Sequence, residues 1–141
     1  MRDMFRLAAP TISVMLALVA CVSQAADGVV VIGHANMRPL DKQTVEKIYT
    51  GKNIKVGDIL VTAVNADVGS RIRERFLKTI IEKEEDSYTG RWLVMRTRGL
   101  GKPPHELPNA AAIINFVTST PGAIGYISES DVRPGLNILL R

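Results

Sequence analysis

The sequence predicts an α/β fold, a single three-layer α/β/α lobe with a mixed, mostly parallel sheet of about four to five strands. Apolar, mostly β-branched runs of strand length alternate along the chain with segments whose apolar residues recur at helical spacing. This alternation is typical of a sheet covered by helices on its faces. The chain has 141 residues, which is enough for one core and leaves no room for a second lobe.

Residues 1–25 have the pattern of a signal peptide. Two arginines precede an uncharged run from Leu7 to Val22, which is shorter than the roughly 20 residues that a membrane-spanning helix needs. The small residues Ser23 and Ala25 then occupy the third and the first position before Ala26, which are the two positions that signal peptidase reads. We therefore predict cleavage before Ala26, a periplasmic location and one domain over residues 26–141.

Cys21, the only cysteine of the chain, gives this segment a second interpretation. The sequence Leu-Val-Ala-Cys that ends at Cys21 also fits a bacterial lipoprotein box, in which the cysteine is lipidated and tethers the mature chain. The alternative is that Cys21 is one more apolar residue of a discarded signal peptide. In either case residues 26–141 hold no disulfide, which an exported domain with an adequate core can lack.

Charge and residue inventory exclude several classes of function. The formal charge of the whole chain is +4, too small to indicate a nucleic-acid partner. His34 and His105 are the only histidines and lie far apart in the sequence, and no Ser, His and acid form a recognisable triad pattern. No His, Cys and acid cluster has metal-ligand spacing. We therefore expect no enzyme activity, no cofactor and no bound metal.

Four strands are predicted, each a short apolar run bounded by turn residues. The last of them is expected at an edge of the sheet. Gly125 in the third is expected to allow a close approach by another element. The predicted strands are Val29–Ile32, Ile59–Val64, Ala123–Ile127 and Leu136–Leu140.

Four helices are predicted between and beside these strands. The first and last have capping residues, Asp41 and Asn109, and Gly51 is placed to end the first. The second carries its arginines opposite an apolar face formed by Ile72, Phe76, Leu77, Ile80 and Ile81. The third, Tyr88–Arg98, is expected to bury Trp92. The charged run Glu82–Asp86 is interpreted as solvated, and Arg96–His105 as a loop.

The stretch Val64–Leu77 is the candidate functional site, because a strand there runs into a glycine turn that opens a helix. A helix N-terminus directs free N–H groups and a positive dipole end at one point, which favours an anion. Gly69 gives the turn its flexibility and Ser70 supplies a hydroxyl, while the N–H groups of Ser70, Arg71 and Ile72 are expected to point outward.

Asn65 and Asp67 complete this candidate set, because they lie on the strand-to-helix turn. In an open α/β sheet this edge is where ligands bind. The alternative interpretation is that Ser70 only caps its own helix and that the arginines only add solubility.

Three segments resemble the phosphate-binding proteins of bacterial ABC importers, which belong to the type II periplasmic binding protein superfamily. The segment Ile48–Lys52 is similar to their I-F-x-G-K motif, and Gly69-Ser70 is similar to their G-S-G-T turn. The segment Thr120–Ile127 resembles their P-G-A-I-G-Y-V strand and is the most specific of the three. Order and spacing agree from about Asp41 to Ile127.

The resemblance implies a periplasmic-binding-protein-like lobe that binds phosphate or a similar small oxyanion at Gly69-Ser70 and serves an ABC permease. The family places glycine and threonine where this chain has Arg71 and Ile72, and the family's arginine before the serine is missing. Arg71 as a replacement positive ligand is an inference from this chain alone.

Size is the larger departure from that family. Its full members are two-lobed proteins of more than twice this length, and this chain resembles their second lobe only. Two copies, or a second protein, would be needed to complete the cleft. The alternative function is a ligand-free interaction or sensor-accessory protein of the bacterial envelope, built on a recycled binding lobe.

Overall fold

The computed structural model describes residues 28–141. The predicted signal peptide and Cys21 therefore lie outside the described residues. No helix within the described part is long and apolar enough to cross a membrane.

A five-stranded sheet forms the centre of the molecule, with the strand order β5-β4-β6-β1-β7. Strand β4 pairs in parallel with β5 and β6, whereas β1 pairs antiparallel with β6 and β7. Four of the five strands therefore run in the same direction, which confirms the mixed, mostly parallel sheet. The strands of the described residues are β1 Val29–Gly33, β2 Lys55–Val56, β3 Ile59–Leu60, β4 Thr62–Ala66, β5 His105–Leu107, β6 Ala123–Ser128 and β7 Asn137–Leu140.

Four α-helices accompany the sheet: α1 Lys42–Tyr49, α2 Arg71–Phe76, α3 Glu85–Thr97 and α4 Ala110–Ser119. Helix α2 continues directly into a π-helical turn, Leu77–Ile81, and a short 3-10 turn follows β6 at Glu129–Asp131. The two predicted caps are confirmed, because Asp41 Oδ1 accepts from Thr44 N–H at 2.7 Å and Asn109 Oδ1 accepts from Ala112 N–H at 2.9 Å.

Helices α2 and α4 cover opposite faces of the sheet. A Cβ built on Gly125 would lie 2.7 Å from Ile113 Cγ2 of α4, which confirms the predicted close approach. The next residue, Tyr126, points to the other face and stacks on Phe76 of α2, with ring centroids 3.8 Å apart. The fold is therefore the predicted three-layer arrangement.

The predicted strand Ile59–Val64 is wrong as one element. Its first two residues pair with β2 in a separate two-stranded hairpin, and only from Thr62 does the chain enter the main sheet. The break falls at Val61, whose N–H donates to Ile54 O at 2.9 Å. The loop predicted over Arg96–His105 is also shorter, because α3 continues to Thr97 and β5 begins at His105.

Three buried rings join α1, α2 and β6 behind the candidate site. Tyr49 meets Phe76 edge-on at 4.7 Å, and Phe76 stacks on Tyr126. The Tyr49 hydroxyl donates to Val64 O at 2.8 Å, and the Tyr126 hydroxyl accepts from Ala66 N–H at 3.0 Å. These bonds hold the end of β4, and hence the start of the turn, against the core.

Candidate functional site

The turn between β4 and α2 is closed by its own hydrogen bonds. Gly69 has φ +85°, a conformation that favours glycine. The Ser70 N–H and the Ser70 hydroxyl both donate to Asp67 O, at 3.1 and 2.7 Å. The expectation that the Ser70 N–H points outward is therefore wrong. Ser70 occupies the N-cap position of α2, but its side chain makes no capping bond to the helix.

The outward donors of this turn are the first N–H groups of α2. The first bond of the helix runs from Glu74 N–H to Ser70 O at 3.1 Å. Arg71 and Ile72 precede it, so their N–H groups have no acceptor within the helix. The Arg71 side chain is exposed and lies beside Ile72 and Ser128 in a shallow depression.

A small cavity of about 90 Å³ lies beside Ser70. Ser70 and Ile72 at the start of α2 and Asn109 and Ala110 at the start of α4 line it, so the positive ends of two helix dipoles lie beside one space. Asp131 also lines it, and its carboxylate opposes an anion there. The lining also includes Ala66, Pro108, Ile113, Tyr126, Ile127 and Ser128.

The structure does not bring all five predicted site residues to this cavity. Ser70 lines it, and Arg71 lines the adjoining depression. Gly69 and Asp67 are exposed on the turn. Asn65 is buried, and its amide donates to the Tyr88 hydroxyl at 3.2 Å and accepts from the Tyr126 hydroxyl. Asn65 therefore bonds to buried tyrosines and does not line the cavity beside Ser70.

Arg73 is the residue that sequence reasoning missed. Its charge predicts that Arg73 lies on the solvated face with the other arginines, yet its side chain is only 4% exposed. Its guanidinium binds Glu85 through two bonds of 3.0 and 2.6 Å, Glu106 at 2.7 Å and Ala66 O at 3.0 Å. The interpretation of Glu82–Asp86 as a wholly solvated run is wrong for the same reason.

The helical spacing of the apolar residues in α2 does indicate that Arg73 is buried. Arg73 lies three residues before Phe76 and four before Leu77, which places it on the same helical face as these two core residues. An arginine on an apolar face needs carboxylate partners. Those partners come from α3 and β5, whose contact with α2 the local sequence does not show.

The ionisation of this cluster follows from its contacts. Burial alone would lower the pKa of Arg73, but the bonds to Glu85 and Glu106 outweigh it and raise the pKa above its ordinary value. Burial would raise the pKa of Glu85, but the bonds from Arg73 and Thr89 lower it. Two carboxylates thus face one guanidinium, so the cluster carries a net negative charge and does not attract an anion.

A second cavity, of about 190 Å³, lies next to this cluster on the side of α3. Its lining is mainly apolar and aromatic, and burial raises the pKa of Tyr88 in its wall to about 12. Within residues 28–141 no group of three or more His, Cys, Asp and Glu side chains could hold a metal ion.

The same fold occurs in solved structures of phosphate transport proteins. One is described as a phosphate ABC transporter substrate-binding protein from Clostridium perfringens with bound phosphate; it is 24% identical, with a TM-score of 0.63 over 80% of this chain and 44% of that chain. An ABC-type phosphate transport receptor from Vibrio cholerae is 17% identical, with a TM-score of 0.63 over 80% and 45%. PstS from Borrelia burgdorferi is 19% identical, with a TM-score of 0.60 over 81% and 47%.

No protein-family model and no curated protein matches the chain. The chain spans less than half the length of each of these three structures. Its described part therefore has the α/β fold found in phosphate ABC transporter substrate-binding proteins.

Proposed function

We propose that this chain is an exported, non-enzymatic, solute-binding-like module that binds a small oxyanion of the phosphate class between the starts of α2 and α4. The observation that carries the proposal is the cavity beside Ser70, onto which two helix N-termini open. Backbone N–H groups and dipoles at helix starts are suited to anions. A solved protein of the same fold holds phosphate, which supports this ligand class.

The proposed ligand contacts are few. The N–H groups of Arg71 and Ile72 have no acceptor in the helix, and the Arg71 guanidinium lies in the adjoining depression. The Ser70 hydroxyl would have to turn from Asp67 O toward the anion. Asp131 opposes binding. We expect weak affinity, because hydration competes with each bond in an open site.

The proposed contacts come from one lobe, and this chain spans less than half the length of its structural neighbours. Delivery of the ligand to an ABC permease is proposed only for a state in which a second lobe closes over this site. A location in the periplasm, free or anchored through Cys21, follows from the predicted signal peptide.

Titration calorimetry with phosphate and sulfate at low salt tests the proposal. We expect saturable heat that falls at least several-fold in Ser70→Ala and Arg71→Ala and rises in Asp131→Asn, because that change removes a repelling charge. Ser87→Ala and Arg38→Ala are the matched controls and should bind as the unaltered protein does, because both residues are exposed and neither lines the cavity. An absence of heat with both anions would contradict the proposal.

A second candidate function is a ligand-free interaction or sensor-accessory protein of the envelope. The internal bonding of Ser70 to Asp67 favours it, as does the neutralisation of Arg73 by Glu85 and Glu106. Under this alternative, phosphate would leave the melting temperature unchanged, whereas a bound anion would raise it by mass action.

A further inference from the structure

Helix α3 leaves one of its faces without a partner in the described chain. Only Tyr88 and Trp92 of its 13 residues are buried. The opposite stripe, at offsets of four, three and four, consists of Asp86, Gly90, Leu93 and Thr97, which share one helical face. Leu93 is 65% exposed and the adjacent Val94 is 49% exposed. Two large apolar side chains therefore lie in water at the middle of this helix.

Gly90 lies at the centre of the same face, and the packing of one chain does not require it. Glycine weakens a helix interior relative to alanine. A Cβ built on Gly90 would have no atom within 4 Å, so no neighbour in the described structure excludes a larger residue. A gap in the helix surface next to an exposed leucine suits close contact with another helix.

The charges along α3 are separated by sign. Exposed acids, Glu84 and Asp86, lie at its start, and exposed cations, Arg96, Arg98 and Lys102, lie at or beyond its end. No acid occurs between Ser87 and Pro104. The helix dipole favours this distribution, but it does not account for the exposed Leu93. An antiparallel partner with the same sequence would oppose each acidic end to a basic end.

We propose that this face of α3 binds a second copy of the chain, with the two α3 helices antiparallel about a two-fold axis between Gly90 and Leu93. Such an axis places each Leu93 over Gly90 of the other copy. The acidic start of each helix then faces the basic end of the other, whereas a parallel arrangement would oppose like charges. The helix is about 20 Å long, so the contact is small and the dimer weak.

Sedimentation equilibrium of the protein up to about 1 mM tests this contact. We expect a concentration-dependent dimer that is lost in Leu93→Asp and in Gly90→Leu, the second because it fills the gap. Ile54→Asp is the matched control, because Ile54 is also 65% exposed and lies outside α3. It should leave the dimer unchanged.

Exchanging the charges at the two ends of α3 gives a second test of the antiparallel dimer. The pair Arg96→Glu and Arg98→Glu should abolish the dimer, and adding Glu84→Lys and Asp86→Lys to the same chain should restore it. A monomer at every concentration would overturn the proposal, as would a dimer indifferent to Leu93→Asp and Gly90→Leu. A monomer that sediments with phosphatidylglycerol vesicles through Leu93 would also overturn it and assign the face to lipid. The sedimentation equilibrium measurements contain no phosphate-class anion, so their outcome is independent of the proposed function.

Discussion

At the residue scale, the candidate site depends on which polar groups the fold already uses. Arg73 and Asn65 follow the strand-turn-helix pattern of an anion site in sequence, but their partners are Glu85, Glu106 and two tyrosines of the interior. Ser70 and Arg71, by contrast, remain at the surface of the helix start. Arg73 therefore stabilises the scaffold that presents the turn.

Replacing Arg73 by methionine tests this structural role. The change leaves Glu85 and Glu106 without their cation, and we expect a loss of about 2–3 kcal/mol in the free energy of unfolding. This is below the value for a fully buried pair because both carboxylates are partly exposed. Urea denaturation followed by Trp92 fluorescence measures it, with Arg133→Met as the exposed control. A loss no larger than that of the control would show that the cluster adds no stability.

The same bonds predict a pH dependence. Because Arg73 lowers the pKa of Glu85 in the folded state, the stabilisation is present above the unfolded pKa of a glutamate, about 4.3, and is lost as the pH falls through the folded pKa. Denaturation measured from about pH 6 to pH 3 should therefore show a steeper loss of stability for the unaltered protein than for Arg73→Met. Equal slopes would contradict the assignment.

At the element scale, the sequence predicted the parts whose signals are local. Caps at Asp41 and Asn109 and the β-branched run of β1 need no distant partner to be recognised. The hairpin strand β2 and the strand β5 are two and three residues long and are held by backbone pairing, which leaves no apolar pattern to detect. Likewise, the burial of Asn65 depends on Tyr126, 61 positions later.

The packing of α4 on β6 gives an element-scale prediction. Gly125→Ala would place a Cβ 2.7 Å from Ile113 Cγ2 and 3.1 Å from Val117 Cγ2, so these side chains or α4 itself must shift. We expect a loss of about 1–3 kcal/mol in the free energy of unfolding from the same urea assay. Gly90→Ala, where the new Cβ has open space, is the control and should gain up to about 1 kcal/mol in dilute monomer. A neutral Gly125→Ala would show that this interface yields easily.

At the scale of the whole molecule, residues 28–141 form a five-stranded sheet, and the chain spans less than half the length of solved proteins that share its fold. Its proposed anion site faces solvent at the end of β4, and all of the proposed ligand groups belong to this one lobe. Weak binding and self-association through α3 are two separate consequences that we infer from this arrangement. Of these two, anion binding decides whether the chain is a solute-binding protein.

Oxyanion binding is tested by amide chemical shifts of the uniformly ¹⁵N-labelled protein, recorded during a phosphate titration at low salt. We expect saturable shifts at Arg71, Ile72 and Ala110, with little change at Arg73 or along α3. Ser70→Ala should weaken the response at the same amides. Shifts that do not saturate, or that centre on other residues, would contradict an oxyanion site between the starts of α2 and α4.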